Sequence, residues 1–153
     1  MLPQCKPVVA LITLSGAAFG GEAGFLVGAL TGFVSNLFFT QGPWTPWQMF
    51  ALGLIGFLAG ALFRKGPLRR DRISLALYGG FAAFFLYGGI MNFEMALMYQ
   101  PQPTGAMFLA VYLSGLPFDL IHAAATVIFL LILSEAMLTK LDRIKIKYGL
   151  IEL

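Results

Sequence analysis

The chain reads as an all-α integral membrane protein with five transmembrane helices. Three observations predict this class. Apolar residues make up 59% of the 153 residues before 18 glycines are counted, and charged residues make up 11%, against about a quarter in soluble domains. A soluble fold of this length could not cover so much apolar surface. Nine of the ten Lys and Arg residues fall in two short clusters, Arg64 to Arg72 and Lys140 to Lys147, between or after apolar runs. That is the charge pattern of membrane topology and not of a nucleic-acid-binding face. Within the runs glycine recurs at every fourth residue, the spacing of one helix face.

The first span, about 7–19, has 13 residues. At about 1.5 Å per residue it is shorter than a hydrocarbon core of about 30 Å, so it is expected to be short or tilted. No basic region with a removable apolar segment precedes it, so the N-terminus is read as part of the membrane body. The second span, about 24–40, carries Gly24, Gly28 and Gly32 on one face. Such a bare face suits close helix packing better than ligand binding.

Both tryptophans of the chain lie in the next stretch, Gln41 to Met49, QGPWTPWQM. Thr45 is placed as an N-cap, Pro46 at the first helical position and Gln48 three residues after the cap, which predicts a capping box. Trp44 is placed to staple onto Met49. The indoles are read either as interfacial belt residues or as a lid over a ligand. The third span, about 46–63, has Gly56 and Gly60 four apart. It is expected to end at Arg64 and Lys65, with Gly66 left-handed at C′ and Pro67 forbidding continuation.

A fourth span, about 73–91, is rich in Phe and Gly and leads into a connector from Asn92 to Gly105. An external helical segment at about 105–114 follows, and Ser114 to Pro117 is expected to kink the chain before the last span, about 117–138. Residues 139–153 form a basic tail. Basic loops stay in the cytoplasm, so the Arg64 to Arg72 loop and the C-terminus are expected inside, with Trp44 and the connector on the external face of a multi-pass cell-membrane protein.

Few residues can carry chemistry. Asp119 and His122 are one turn apart on the last span and share a face, which at that depth points to the bundle interior. Three readings stay open for them: a structural pair, substrate contacts, or proton coupling. As a metal site they supply too few ligands. Asn36, Gln41, Trp44, Trp47, Gln48, Asn92, Glu94 and Tyr99 converge on the external half, where aromatics, amides and a carboxylate suit a neutral or zwitterionic solute with rings. For each of these, headgroup contact or local capping is the competing reading. Glu22 and Glu135, on the inner side, are read as solvated or paired with the basic tail. Cys5 is the only cysteine, so no internal disulfide forms. No hydrolase, zincin, Walker or dinucleotide motif is present, and neither intrinsic hydrolysis nor a cofactor is expected.

The runs GEAGFLVGALTGFVSNLFF, QGPWTPWQMFALGLIGFLAG and, later, LPFDLIHAAATVIFL resemble substrate-binding S components of energy-coupling factor vitamin importers, within them the cobalamin-type group. The resemblance runs from about Lys6 to Tyr148, and GPWTPWQM is its most specific motif. It implies a six-helix prokaryotic membrane fold whose external loops close over a vitamin, cobalamin or a related corrinoid. It also implies docking on a membrane coupling subunit driven by two ATPase subunits. The candidate substrate contacts are then Asn36, Gln41, Trp44, Trp47, Gln48, Asn92, Tyr99, Asp119 and His122. The pattern departs at its start, where the family's first helix is missing, so a truncated start is expected, leaving the glycine face at 24–32 and the short first span without a neighbour. A structural membrane subunit, or an intramembrane enzyme using Asp119 and His122 on a lipid, fits less of the sequence.

Overall fold

The computed structural model describes residues 5–150 except 100 and 103; the last three residues of the expected tail and two positions of the connector lie outside it. Five helices follow one another: α1 (Val8–Phe19), α2 (Gly21–Phe39), α3 (Thr45–Phe63), α4 (Arg72–Met98) and α5 (Gly105–Lys147). Among the described residues there is no strand. Four of the helices are long and apolar enough to cross a membrane. Their outer faces are apolar as well: Leu26, Leu30, Phe33 and Leu37 of α2 and Ile73, Leu77, Phe81 and Phe85 of α4 are all exposed. A stripe of large aliphatic and aromatic side chains every third or fourth residue on the outside is stable against lipid and not against water.

The shortest helix is the central one. α1 has 12 residues and packs against all four of the others, and Val9, Ile12, Leu14 and Ala17 are buried on different sides of it. A helix apolar all round belongs inside. Its last carbonyls, which have no partner within the helix, are met by cations from elsewhere. Lys145, itself buried, donates its Nζ to Ala18 O at 2.6 Å, and the Arg64 guanidinium donates to Phe19 O. Gly20 then turns the chain into α2 with φ +104°, a region in which a side chain would be strained.

The expectation that the glycine face of α2 lacks a neighbour is overturned. A Cβ on Gly24 would fall on the Gly56 carbonyl, one on Gly16 of α1 would strike the same oxygen, and one on Gly28 would strike Leu52 O. A Cβ on Gly60 would collide with the backbone of Gly20 and Gly21. The glycines of α1, α2 and α3 therefore serve one another.

Other local expectations change for equally physical reasons. The α3 cap is Trp44, in helical φ/ψ and with no side-chain cap bond, because Thr45 and Gln48 are engaged in tertiary hydrogen bonds described below. Gly66 is not among the glycines with positive φ; it is needed because its Cα passes so close to Ala61 O and Leu62 O that no Cβ fits. Arg64, expected to serve its own helix end, serves α1. α4 continues to Met98, past the expected end at 91, through a π-helical stretch at Ala82–Gly88. Pro117 lies inside α5 and does not divide it: the external segment and the last span are one element of 43 residues. Proline removes a single helix hydrogen bond, which a long membrane helix with neighbours tolerates.

Both basic clusters sit at one end of the bundle. Arg70 reaches Asp142 at 3.2 Å and Arg72 reaches Glu135 at 3.7 Å, so the α3–α4 loop is tied to the last turns of α5. Asp71 caps α4 by accepting from Ser74 N at 3.2 Å. Asp142 also accepts from Lys145 at 2.9 Å. Burial alone would raise the Asp142 carboxyl, but the hydrogen bonds from Lys145 and Arg70 outweigh it and hold the group below the ordinary carboxylate range.

Two expectations follow. Gly56→Ala places a methyl on the Gly24 carbonyl and should cost about 1–3 kcal/mol, the ordinary penalty of overpacking, seen as a lower Tm in detergent. Gly89→Ala, with open space around its Cα, should be neutral or slightly stabilising; equal losses in both would refute the packing account. Because the Asp142 pKa is lowered in the folded state, its contribution is complete above the unfolded carboxylate value of about 3.9 and is lost as pH falls through the lower folded value. Melting curves across this acid range should therefore be flatter for Asp142→Asn than for the wild type.

Candidate functional site

At the end of the bundle opposite the basic clusters, α4 and α5 diverge around a cavity of about 550 Å3. α4 lines it with Tyr87, Met91, Asn92, Glu94 and Met95, Tyr99 just past its end adds to the wall, and α5 contributes Val111, Ser114, Gly115, Phe118, Asp119 and His122. Trp44, from the loop before α3, closes the wall, its indole lying directly over Gly42, where a Cβ would clash with the ring.

Two glycines create room for the polar floor. Asn92 on α4 donates Nδ2–H to Asp119 Oδ2 on α5 at 2.7 Å. Asn92 lies over Gly115 of α5, and Asp119 lies over Gly88 of α4; a Cβ on Gly88 would sit 2.6 Å from Asp119 Cγ. Each polar side chain thus crosses to the other helix and rests where that helix has no side chain. Gly88 and Tyr87 end the π-helical stretch, a conformation that accompanies functional sites more often than chance. Tyr112 reinforces the same helix pair by donating to Gly89 O at 2.8 Å.

His122 is buried and takes no part in the Asp119 bond. The Tyr87 ring meets it edge on, centroids 5.0 Å apart at 87°. Both rings line the large cavity and also a second one of about 70 Å3, which Lys6, Gln48 and Leu52 help to line. The Tyr87 and His122 rings are therefore a partition between the two.

Behind the partition a hydrogen-bonded chain runs across four elements. Thr45 Oγ1 donates to Gln41 Oε1 at 3.0 Å and accepts from Asn36 Nδ2 at 3.3 Å. Asn36 Nδ2 also donates to Gln48 Oε1 at 2.6 Å, and Gln48 Nε2 donates to Tyr87 Oη at 2.9 Å. A buried polar group without a partner is costly, and this chain gives Asn36 and Thr45, both buried, their partners.

The nine sequence candidates divide accordingly. Trp44, Asn92, Tyr99, Asp119 and His122 face the large cavity. Gln48 lines the small one, while Asn36 and Gln41 join it in the supporting network. Trp47, half-buried, lines neither cavity and packs in an aromatic row with Phe93 at 6.2 Å and on to Phe108. Tyr87, the link between network and cavity, carried no sequence signal beyond an aromatic in an apolar run. Among the described residues no three of His, Cys, Asp and Glu come together as a metal site would require.

Residues 3–139 match the family model described as ECF-type riboflavin transporter, S component. A UPF0397 protein of Vibrio atlanticus (strain LGP32) is 28% identical over 90 residues, which are 58% of this chain and 49% of that protein. A UPF0397 protein of Aliivibrio fischeri (strain MJ11) is 26% identical over 118 residues, 72% of this chain and 64% of that protein. The chain thus spans about half to under two thirds of the length of these relatives. No solved structure matches.

Gln48→Leu removes the centre of the polar chain, leaving Tyr87 Oη without its partner and Asn36 with only the longer bond to Thr45. It should lower stability by about 1–3 kcal/mol, whereas Gln41→Leu at the exposed end should stay within about 0.5 kcal/mol. Thermal melts of the two variants side by side test this, and similar melting points would show that the network carries no weight.

Proposed function

We propose that this chain, which belongs to the family of ECF-type riboflavin transporter S components, captures a vitamin-sized organic solute in the cavity between α4 and α5 and hands it to an ATPase-driven importer. The observation that carries this reading is the cavity itself: a concave site with aromatic walls and a few convergent polar groups, in a bundle whose outer faces are apolar. A purely structural subunit would have no use for it. The family is one of transporter subunits, so the chain catalyses no reaction, and energy comes from a membrane coupling subunit and two ATPase subunits.

Orientation follows from charge. With both basic clusters at one end, that end and the C-terminus lie in the cytoplasm and the cavity lies on the external side. Trp44 then acts as the lid residue. Size narrows the solute. At the roughly 30 Å3 that a water molecule occupies in the liquid, the cavity has room for about 20 heavy atoms. A corrinoid, which the sequence resemblance implies, carries several times as many and would insert only an edge. A compound of two or three fused rings, such as the ring system of the riboflavin in the family's name, fits within.

Purification with the ATPase subunits, followed by analysis of the bound small molecule, is the direct test. Titration of the purified chain adds a local readout, since Trp44 and Trp47 are the only indoles. A vitamin entering the cavity should change their fluorescence after correction for inner-filter loss. Trp44→Ala, which loses aromatic contact and burial together, should weaken binding roughly tenfold or more. A chain that purifies empty and responds to no vitamin would instead be a structural subunit. For orientation, in a Cys5→Ser background, Gly105→Cys should be labelled from outside intact cells and Leu68→Cys should not.

A further inference from the structure

We infer that the solute held in this cavity is an organic cation, seated between Glu94 and Asp119 and faced by aromatic rings; the inference rests on the capture site proposed above. Glu94 carries it. Its side chain lines the cavity and is 2% exposed, yet its Oε1 has no hydrogen-bond partner among the described residues. Buried carboxylate oxygens are nearly always paired, because an unpaired one forfeits its hydration and gains nothing in return. Such an orphan inside a cavity is a group prepared for something that enters.

The surroundings say what enters. Asp119 adds a second carboxyl group to the wall, and Asn92 satisfies one of its oxygens. No Lys or Arg lines the cavity. Lys6, which lines the small cavity, stands beyond the Tyr87 and His122 partition, and the two basic clusters occupy the other end of the bundle. Two acids without a counter-charge, in a site of low polarity, favour a positive ligand and repel an anionic one. Trp44, Tyr87, Tyr99 and Phe118 complete the wall, and aromatic faces attract cations through their quadrupoles. A heterocycle with a fixed or protonated ring nitrogen, or an amino-substituted ring, satisfies the acids with charge-assisted bonds and the rings by stacking.

The test compares cationic and neutral ring compounds on the purified 153-residue chain by tryptophan fluorescence and thermal shift, using thiamine and proflavine as cations and riboflavin as the neutral probe. At least one cation should bind more tightly than riboflavin, and Glu94→Gln and Asp119→Asn should each weaken that cation roughly tenfold or more while changing riboflavin little. Glu94→Gln should also raise the Tm of the unliganded protein, since it removes an unpaired buried charge and keeps the side-chain shape; a merely structural glutamate would lower it. If riboflavin binds well and both cations fail, or if Glu94→Gln leaves cation binding unchanged, the inference is wrong and the capture reading stands. If no ring compound of either class binds, both fall together.

Discussion

Three helices meet at one carbonyl group, that of Gly56. Gly16 of α1 and Gly24 of α2 both approach it so closely that a methyl on either would overlap it. In lipid there is no water to expel from between helices, so attraction must come from close contact of backbones and from the hydrogen bonds and dispersion that contact allows. This contact fixes α1, α2 and α3 as one rigid block. It also explains how a 12-residue helix can be the core of a membrane bundle: α1 never has to reach both lipid surfaces, because α2, α3, α4 and α5 surround it.

The other half of the bundle is built differently. α4 and α5 are held by crossed polar side chains over glycines and by Tyr112, and between them they leave the cavity that Asp119 and Glu94 line. Close packing and a binding space compete for the same volume, and here they are assigned to different helices. The Asn36, Thr45, Gln48 and Tyr87 chain joins the two halves, so the rigid block fixes the inner wall of the cavity through Tyr87 while Trp44 covers it from a loop.

Charge is divided along the bundle in the same way. Arg64, Arg70, Arg72 and Lys145 gather at one end with Asp142 and Glu135, Arg64 and Lys145 close off the C-terminus of α1, and each of these four cations has a defined anion or carbonyl. At the cavity end the acids Glu94 and Asp119 have an amide for company and no Lys or Arg in the wall. The first arrangement stabilises the fold; the second leaves attraction unspent for a ligand.

Much of this was legible along the chain. Five apolar runs became five helices, the glycine rows at 24–28 and 56–60 became the contact face, and the two basic clusters came together at one end. These are properties of period and composition, which a helix expresses whatever its neighbours. Asp119 and His122 could be placed on one face by the same period, and Trp44, Asn92 and Tyr99 on the external half by the position of the basic clusters. Local signals failed where tertiary partners outbid them: Thr45 and Gln48 had the spacing of a capping box, but buried Asn36 and Tyr87 needed hydrogen bonds more than an exposed helix end did. Pro117 signalled a break, and the neighbours of α5 made its single lost bond tolerable. The sequence alone determined the membrane class, the helices and the polarity of the bundle, because each depends on residues near one another in the chain. Only the tertiary structure decided that α1 is central, that Tyr87 divides two cavities and that Glu94 stands unpaired, because a hydrogen bond or its absence depends on what another helix brings within about 3 Å.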